Sequence, residues 1–137
     1  MAQLTNKLKN DHKVLVSALE EIKNIGIAHP DAPKKLIAAK AALLAHLKHE
    51  DVELYPVLKK AAASDGSMQS TLNVLAKDME TLAPAALAFF AKYEKGGDPT
   101  EFSRDFSKLF SALATRIRRE EETLYAMFDK VADKKAA

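Results

Sequence analysis

Apolar residues recur every three or four positions along most of the chain, in four stretches separated by short breaks. The first runs Leu4, Leu8, position 12, Leu15, Leu19, Ile22, and the second Leu36, Ala39, Leu43, position 46, position 50, Leu54, Val57. The third runs Leu72, Leu75, position 79, Leu82, Ala86, Phe89, Tyr93, and the fourth Phe102, Phe106, Leu109, Leu113, position 116, position 120, Leu124, Met127. A 3.6-residue period puts such positions on one face, so each stretch predicts an amphipathic helix. The breaks IGIAHPDAP (25–33), SDGS (64–67) and KGGDPT (95–100) combine glycine or proline with capping residues. Asp31 ahead of Pro33, then Ser67, then Thr100 or Asp98 are the N-cap candidates. The helices are predicted at about 4–25, 32–62, 67–95 and 100–132. Similar lengths and short connections favour an all-α, antiparallel up-down four-helix bundle. Pro56 and Pro84 fall inside helical patterns, where the missing N–H and the crowding ring predict a kink or interruption.

Composition supports that picture. The 137 residues suffice for one compact domain and are too few for two comfortable ones, so residues 1–137 are read as one unit. Ala and Leu carry much of the apolar content against only four Gly and five Pro, which favours helices. The formal charge is +2 with lysines spread along the chain, which points to solvated helix faces and to neither a nucleic-acid nor a membrane patch. Absence of cysteine excludes disulfides, thiolate catalysis and zinc–thiolate sites. MAQLTNKLKNDHK lacks an apolar core of signal-peptide length and no apolar run approaches a membrane span, so a cytoplasmic location is expected.

The positions left unnamed above hold His12, His46, Glu50, Met79, Arg116 and Glu120. Each lies well inside its helix, so an antiparallel bundle can bring them into one internal layer. A bare carboxylate there costs several kcal/mol, which means that Glu50 and Glu120 need a cation. A metal ion is one candidate and the Arg116 guanidinium the other. His12 and His46 offer imidazole nitrogens suited to iron or zinc, and His46 and Glu50, four apart, project to one face with Cβ atoms about 5–6 Å apart. The bland alternative is a core histidine satisfied by a carbonyl, and His-x3-Glu by itself is a weak signal. Glu53, near the His46 edge, is a reserve ligand. His29 lies in the proline-flanked loop, His49 leans off the stripe, and Asp11 projects about 100° from His12.

HLKHEDVELY (46–55) aligns with RIRREEETLY (116–125), and DHKVL (11–15) with DMETL (78–82), as if one helix pair were used twice. In this register His46 corresponds to Arg116, Glu50 to Glu120 and His12 to Met79. With NDHKVL, HLKHEDVELYP and EEETLY, nearly the whole chain resembles the hemerythrin-like (HHE cation-binding) family. The resemblance implies a four-helix bundle built around a non-haem di-iron centre that binds oxygen or senses iron, oxygen or nitric oxide. It also implies that His12, His46, Glu50 and Glu120 stand at ligand positions. The chain departs from the family where Met79 and Arg116 replace two histidines that serve the same iron. Met is a soft, poor partner for a carboxylate-bridged iron, and Arg carries only donors. One half-site is kept and the other erased, with Arg116 expected to offer its charge and donors to Glu120 and Glu50.

Two functions follow as expectations. The first is a hemerythrin-like protein with a reduced site for one iron, zinc or other divalent ion, acting in binding or sensing rather than oxygen transport. The second is a metal-free regulatory or protein-interaction bundle in which Arg116 replaces the lost iron, with no partner identified. Di-iron oxidase chemistry is the weakest reading, because it calls for two metals or an open facial triad, and a diatomic ligand is disfavoured with it.

Overall fold

The computed structural model describes residues 3–136, and side chains as far as residue 132. Among the described residues the chain forms four long helices and no strand beyond one isolated bridge between Glu94 and Gly96. Helix one is Gln3–Ile25. Helix two spans 32–62 and consists of Ala32–His49, a π-helical turn Glu50–Leu54, and Tyr55–Ala62. Helix three is Gly66–Tyr93. Helix four spans 99–136, with a second π-turn, Glu120–Leu124, between Pro99–Arg119 and Tyr125–Ala136. No helix among the described residues is long and apolar enough to cross a membrane.

The helix ends follow local chemistry. Gly26 adopts φ +78°, the left-handed conformation that ends helix one while its N–H still reaches the Ile22 carbonyl at 2.9 Å. Asp65, rather than Ser67, caps helix three, its side chain accepting from Met68 N at 3.1 Å. Asp98 caps helix four through Glu101 N at 2.8 Å, with Pro99 opening the helix. Asp31 stands at the N-cap of helix two but makes no side-chain cap bond. Its own N–H donates to His29 Nδ1 at 3.0 Å in an exposed loop.

The apolar core has two parts with a polar layer between them. One part gathers Leu15, Leu19, Leu36, Leu43, Phe89, Phe106 and Leu113 with their neighbours. The other gathers Leu8, Leu54, Leu58, Leu72, Leu75, Leu124 and Phe128. Between them lie His12, His46, Glu50, Arg116 and Glu120, all buried to 4% exposure or less. Leu8 and Leu15 bracket His12 along helix one, as Leu43 and Leu54 bracket the pair on helix two and Leu113 and Leu124 the pair on helix four. Apolar packing on both sides thus holds five polar groups away from water, where their interactions with one another are strongest.

The π-turns correct two expectations from periodicity. The inner stripes were expected to end on Val57 and Met127, yet Leu58 and Phe128 are buried and those two only partly so. A π-turn bonds i to i+5, as Tyr55 N does to Glu50 O and Tyr125 N to Glu120 O. Its wider circuit keeps a four-residue step on the inner face. The series 46, 50, 54, 58 and its counterpart 116, 120, 124, 128 therefore stay inward. Proline does not cause the turn, since Pro56 follows the first and Ala126 holds the equivalent place after the second. Nor does Pro84 interrupt helix three, which runs unbroken through it. Pro84 and Glu80 are both exposed, so water can satisfy the Glu80 carbonyl that proline leaves without its helical donor.

Candidate metal centre

Helices one, two and four each deliver side chains to the polar layer. His12 from helix one places Nε2 at 3.0 Å from His46 Nε2 and 2.8 Å from Glu120 Oε1. His46 Nε2 lies 3.2 Å from Glu50 Oε2 and 3.4 Å from Glu120 Oε1. One ligand atom from each of the four residues lies within 4.8 Å of the others, a grouping that can hold a metal ion. Ligands at right angles around an ion roughly 2.1 Å from each stand about 3.0 Å apart, and tetrahedral ones about 3.4 Å. The four measured separations fall at or close to that range.

The outer nitrogens of the two imidazoles are held by carboxylates. His12 Nδ1 donates to Glu121 Oε2 at 2.8 Å, and His46 Nδ1 to Asp11 Oδ2 at 3.3 Å. A carboxylate can only accept, so each Nδ1 carries the proton and, in the neutral ring, each Nε2 faces inward bare. Carboxylate–histidine pairs of this kind orient metal-ligating imidazoles. Asp11 also accepts from half-buried His49 at 3.1 Å. Burial would raise the Asp11 pKa, but the bonds from His49 and His46 hold it below its ordinary value.

The centre is therefore rich in acceptors. Among the described residues no buried side-chain polar atom lacks a neighbour at hydrogen-bond distance. With neutral imidazoles, however, Tyr125 O–H is the one donor aimed at the four converging atoms, and it donates to Glu50 Oε2 at 2.7 Å. Without a metal, protons must fill the deficit. Burial opposes a charge on His46, but the bonds and charges of Glu120 and Glu50 outweigh it and push its pKa up to about 10. Glu50 is raised by burial and by the Glu120 charge. Burial acts on Glu120 in the same sense, yet its bonds to His12 and His46 and the Arg116 charge hold it far below the usual carboxylate range. Tyr125 is pushed well above the ordinary phenol value by burial and by the two glutamates.

The other half of the layer is built differently. Arg116 Nε donates to Glu120 Oε2 at 2.9 Å, NH1 to the Leu75 carbonyl at 2.6 Å, and NH2 to Tyr55 Oη at 3.0 Å. Its fork was expected to serve Glu120 and Glu50 together; its bonds reach Glu120 alone, and the remaining donors go to helix three and Tyr55. The guanidinium fills this side with donors, so the residues present do not fit a second ion here. Met79, expected in the same internal layer, is instead half-buried and lines a cleft of about 580 Å³ with Asp51, Tyr55, Pro56, Lys59, Ala76 and Glu80.

Of the residues singled out in the sequence, His12, His46, Glu50 and Glu120 come together and Arg116 adjoins them. The reserve ligand Glu53 stays outside, exposed and 3.6 Å from Lys7. Sequence reasoning missed Glu121 and both tyrosines as parts of the site. The tyrosines had left a signal, since both halves of the repeat end in Leu-Tyr. The repeat itself is visible in three dimensions. Asp11 pairs with His49 where Asp78 pairs with Arg119 at 2.7 Å, and His46–Glu50 is matched by Arg116–Glu120.

The sequence model of the family described as "Hemerythrin HHE cation binding domain" matches residues 3–128. No curated protein and no solved structure matches the chain. The chain belongs to the hemerythrin HHE cation-binding domain family.

Proposed function

We propose that this member of the hemerythrin HHE family binds a single metal ion, iron or another divalent ion such as zinc, through His12, His46, Glu50 and Glu120. One observation carries the reading: four acceptor atoms converge in a dry layer with both imidazole Nδ1 atoms tied to carboxylates and a single donor between them. An ion would supply the missing positive charge as a Lewis acid. Two imidazole nitrogens and two carboxylate oxygens suit iron, zinc or manganese better than a soft cation. Arg116 takes the place of a second ion and keeps half of the Glu120 charge compensated in any state of the site. A one-ion site behind two apolar clusters serves binding or sensing of the metal rather than carriage of oxygen between two irons. The short loops fit helices that run up and down, antiparallel to their chain neighbours, in one domain.

Elemental analysis of untagged protein from iron-supplemented cells tests this directly. About one ion per chain is expected, and it should be lost in His12→Ala and His46→Ala together with thermal stability, because binding only the folded state stabilises it. A folded, stable protein with no metal would overturn the reading in favour of a metal-free bundle whose internal cation is Arg116. Two ions per chain would show that the Arg116 side is open after all.

A further inference from the structure

Tyr125 holds a position that its hydrogen bond to Glu50 does not explain. Its Oη lies 2.7 Å from Glu50 Oε2, 3.1 Å from His12 Nε2, 3.3 Å from His46 Nε2 and 3.2 Å from Glu120 Oε1. One phenolic proton satisfies one of these contacts. The others set a hydroxyl oxygen against atoms that are themselves acceptors when the imidazoles are neutral. Five donor atoms at such separations describe the edges of a coordination polyhedron, for which ligands at right angles around an ion roughly 2.1 Å away stand about 3.0 Å apart.

The backbone explains how a residue five positions after Glu120 reaches the same centre. In a regular α-helix that step rotates the side chain about 140° away from the Glu120 face. The π-turn Glu120–Leu124 ends at Tyr125, whose N–H bonds back to the Glu120 carbonyl, and the wider turn returns the tyrosine towards the glutamate. The ring is fully buried and lies nearly parallel to that of His12, with centroids 5.5 Å apart and planes inclined by 15°. The other half of the repeat supplies an independent comparison. Tyr55 follows its own π-turn in the same way, and its Oη meets the cation of the opposite half, the Arg116 guanidinium, at 3.0 Å. Each tyrosine thus faces one half of the layer: Arg116 for Tyr55, and the group of His12, His46, Glu50 and Glu120 for Tyr125.

We infer that Tyr125 is a fifth metal ligand, so that the site takes a hard ferric ion as a phenolate complex in addition to divalent ions. The inference rests on the single-metal reading above. On binding, a metal–oxygen bond forms at Oη and the phenolic O–H bond breaks; the proton leaves to solvent with water displaced from the ion, and no electron is transferred. With two carboxylates and a phenolate in the set, hard oxygen donors outnumber the nitrogens, which favours the higher charge.

The test is to load the metal-free full-length chain with one equivalent of ferric citrate, count the iron retained, and record visible absorption and resonance Raman spectra. Wild type and Tyr55→Phe should retain one iron and show a phenolate-to-iron charge-transfer band with tyrosine ring modes. Tyr125→Phe should lose the band and bind ferric iron at least about tenfold more weakly. One ferric ion per chain without the band in wild type, or a band that survives Tyr125→Phe, would overturn the inference and leave the single-metal reading standing. Retention of no ferric, ferrous or zinc ion would overturn both. Should Tyr125→Phe fail to fold, ring-deuterated tyrosine in wild type decides: the inference requires the ring modes to shift, and their absence overturns it.

Discussion

The two halves of the polar layer share one sequence pattern and solve one problem in opposite ways. On one side His12, His46, Glu50 and Glu120 converge as acceptors around a centre whose one donor is the Tyr125 hydroxyl. On the other, Arg116 brings the positive charge on a side chain and spends its fork on Glu120, the Leu75 carbonyl and Tyr55. On the single-metal reading the first half depends on what solution supplies, protons or a metal. The second is closed, because its cation is covalently attached and does not deprotonate at ordinary pH. On the single-metal reading proposed above, Met79 and Arg116 thus leave one responsive half beside one fixed half.

The comparison can be broken most severely by restoring the lost ligands. Met79→His with Arg116→His should raise the metal count from about one to about two per chain in elemental analysis. A folded double variant that still holds one would show that the repeat register is wrong. Next in size, Arg116→Ala should leave Glu120 buried without its fixed partner and cost roughly 3–5 kcal/mol in urea unfolding of the metal-free protein. A loss under 1 kcal/mol would mean that the guanidinium is not what compensates Glu120. On the responsive side, Asp11→Asn weakens the hold on His46 Nδ1 without touching a ligand. It should reduce metal affinity by about 10- to 100-fold, measured by competition with a chelator.

A graded effect, spread over several pH units, is a pH dependence that only the responsive half should show. In the metal-free fold His46 is raised from 6.5 to about 10, so its contribution to stability is full below 6.5 and is lost as pH rises through about 10. A metal has to displace that proton, so its affinity should rise by about tenfold per pH unit across the same window. Thermal unfolding with and without metal measures both. The melting temperature should fall with rising pH in the metal-free protein and hold or rise in the loaded one.

Much of this was readable in advance, for physical reasons that differ from residue to residue. Leu8, Leu15, Leu43 and Leu113 announce the inner faces because burial of a helix face imposes a 3.6-residue period. Against that period His12, His46, Glu50, Arg116 and Glu120 stand out as polar exceptions, and the structure buries all five together. Glu53 looked like a reserve ligand by spacing alone, yet the packing leaves it in water beside Lys7.

What the sequence by itself determined is the set of four helices, their breaks, five polar members of the buried layer and the unequal halves of the repeat. All of these depend on residue type and short-range spacing. What only the tertiary structure decided is where the α-helical period fails. The two π-turns carry Leu58 and Phe128 inward and return Tyr125 to the Glu120 face, none of which a constant 100° step can anticipate. The partners of the layer were decided in the same way. Glu121 for His12, Asp11 for His46 and the Leu75 carbonyl for Arg116 belong to contacts between helices, whose rotation and approach are fixed by packing of the whole core.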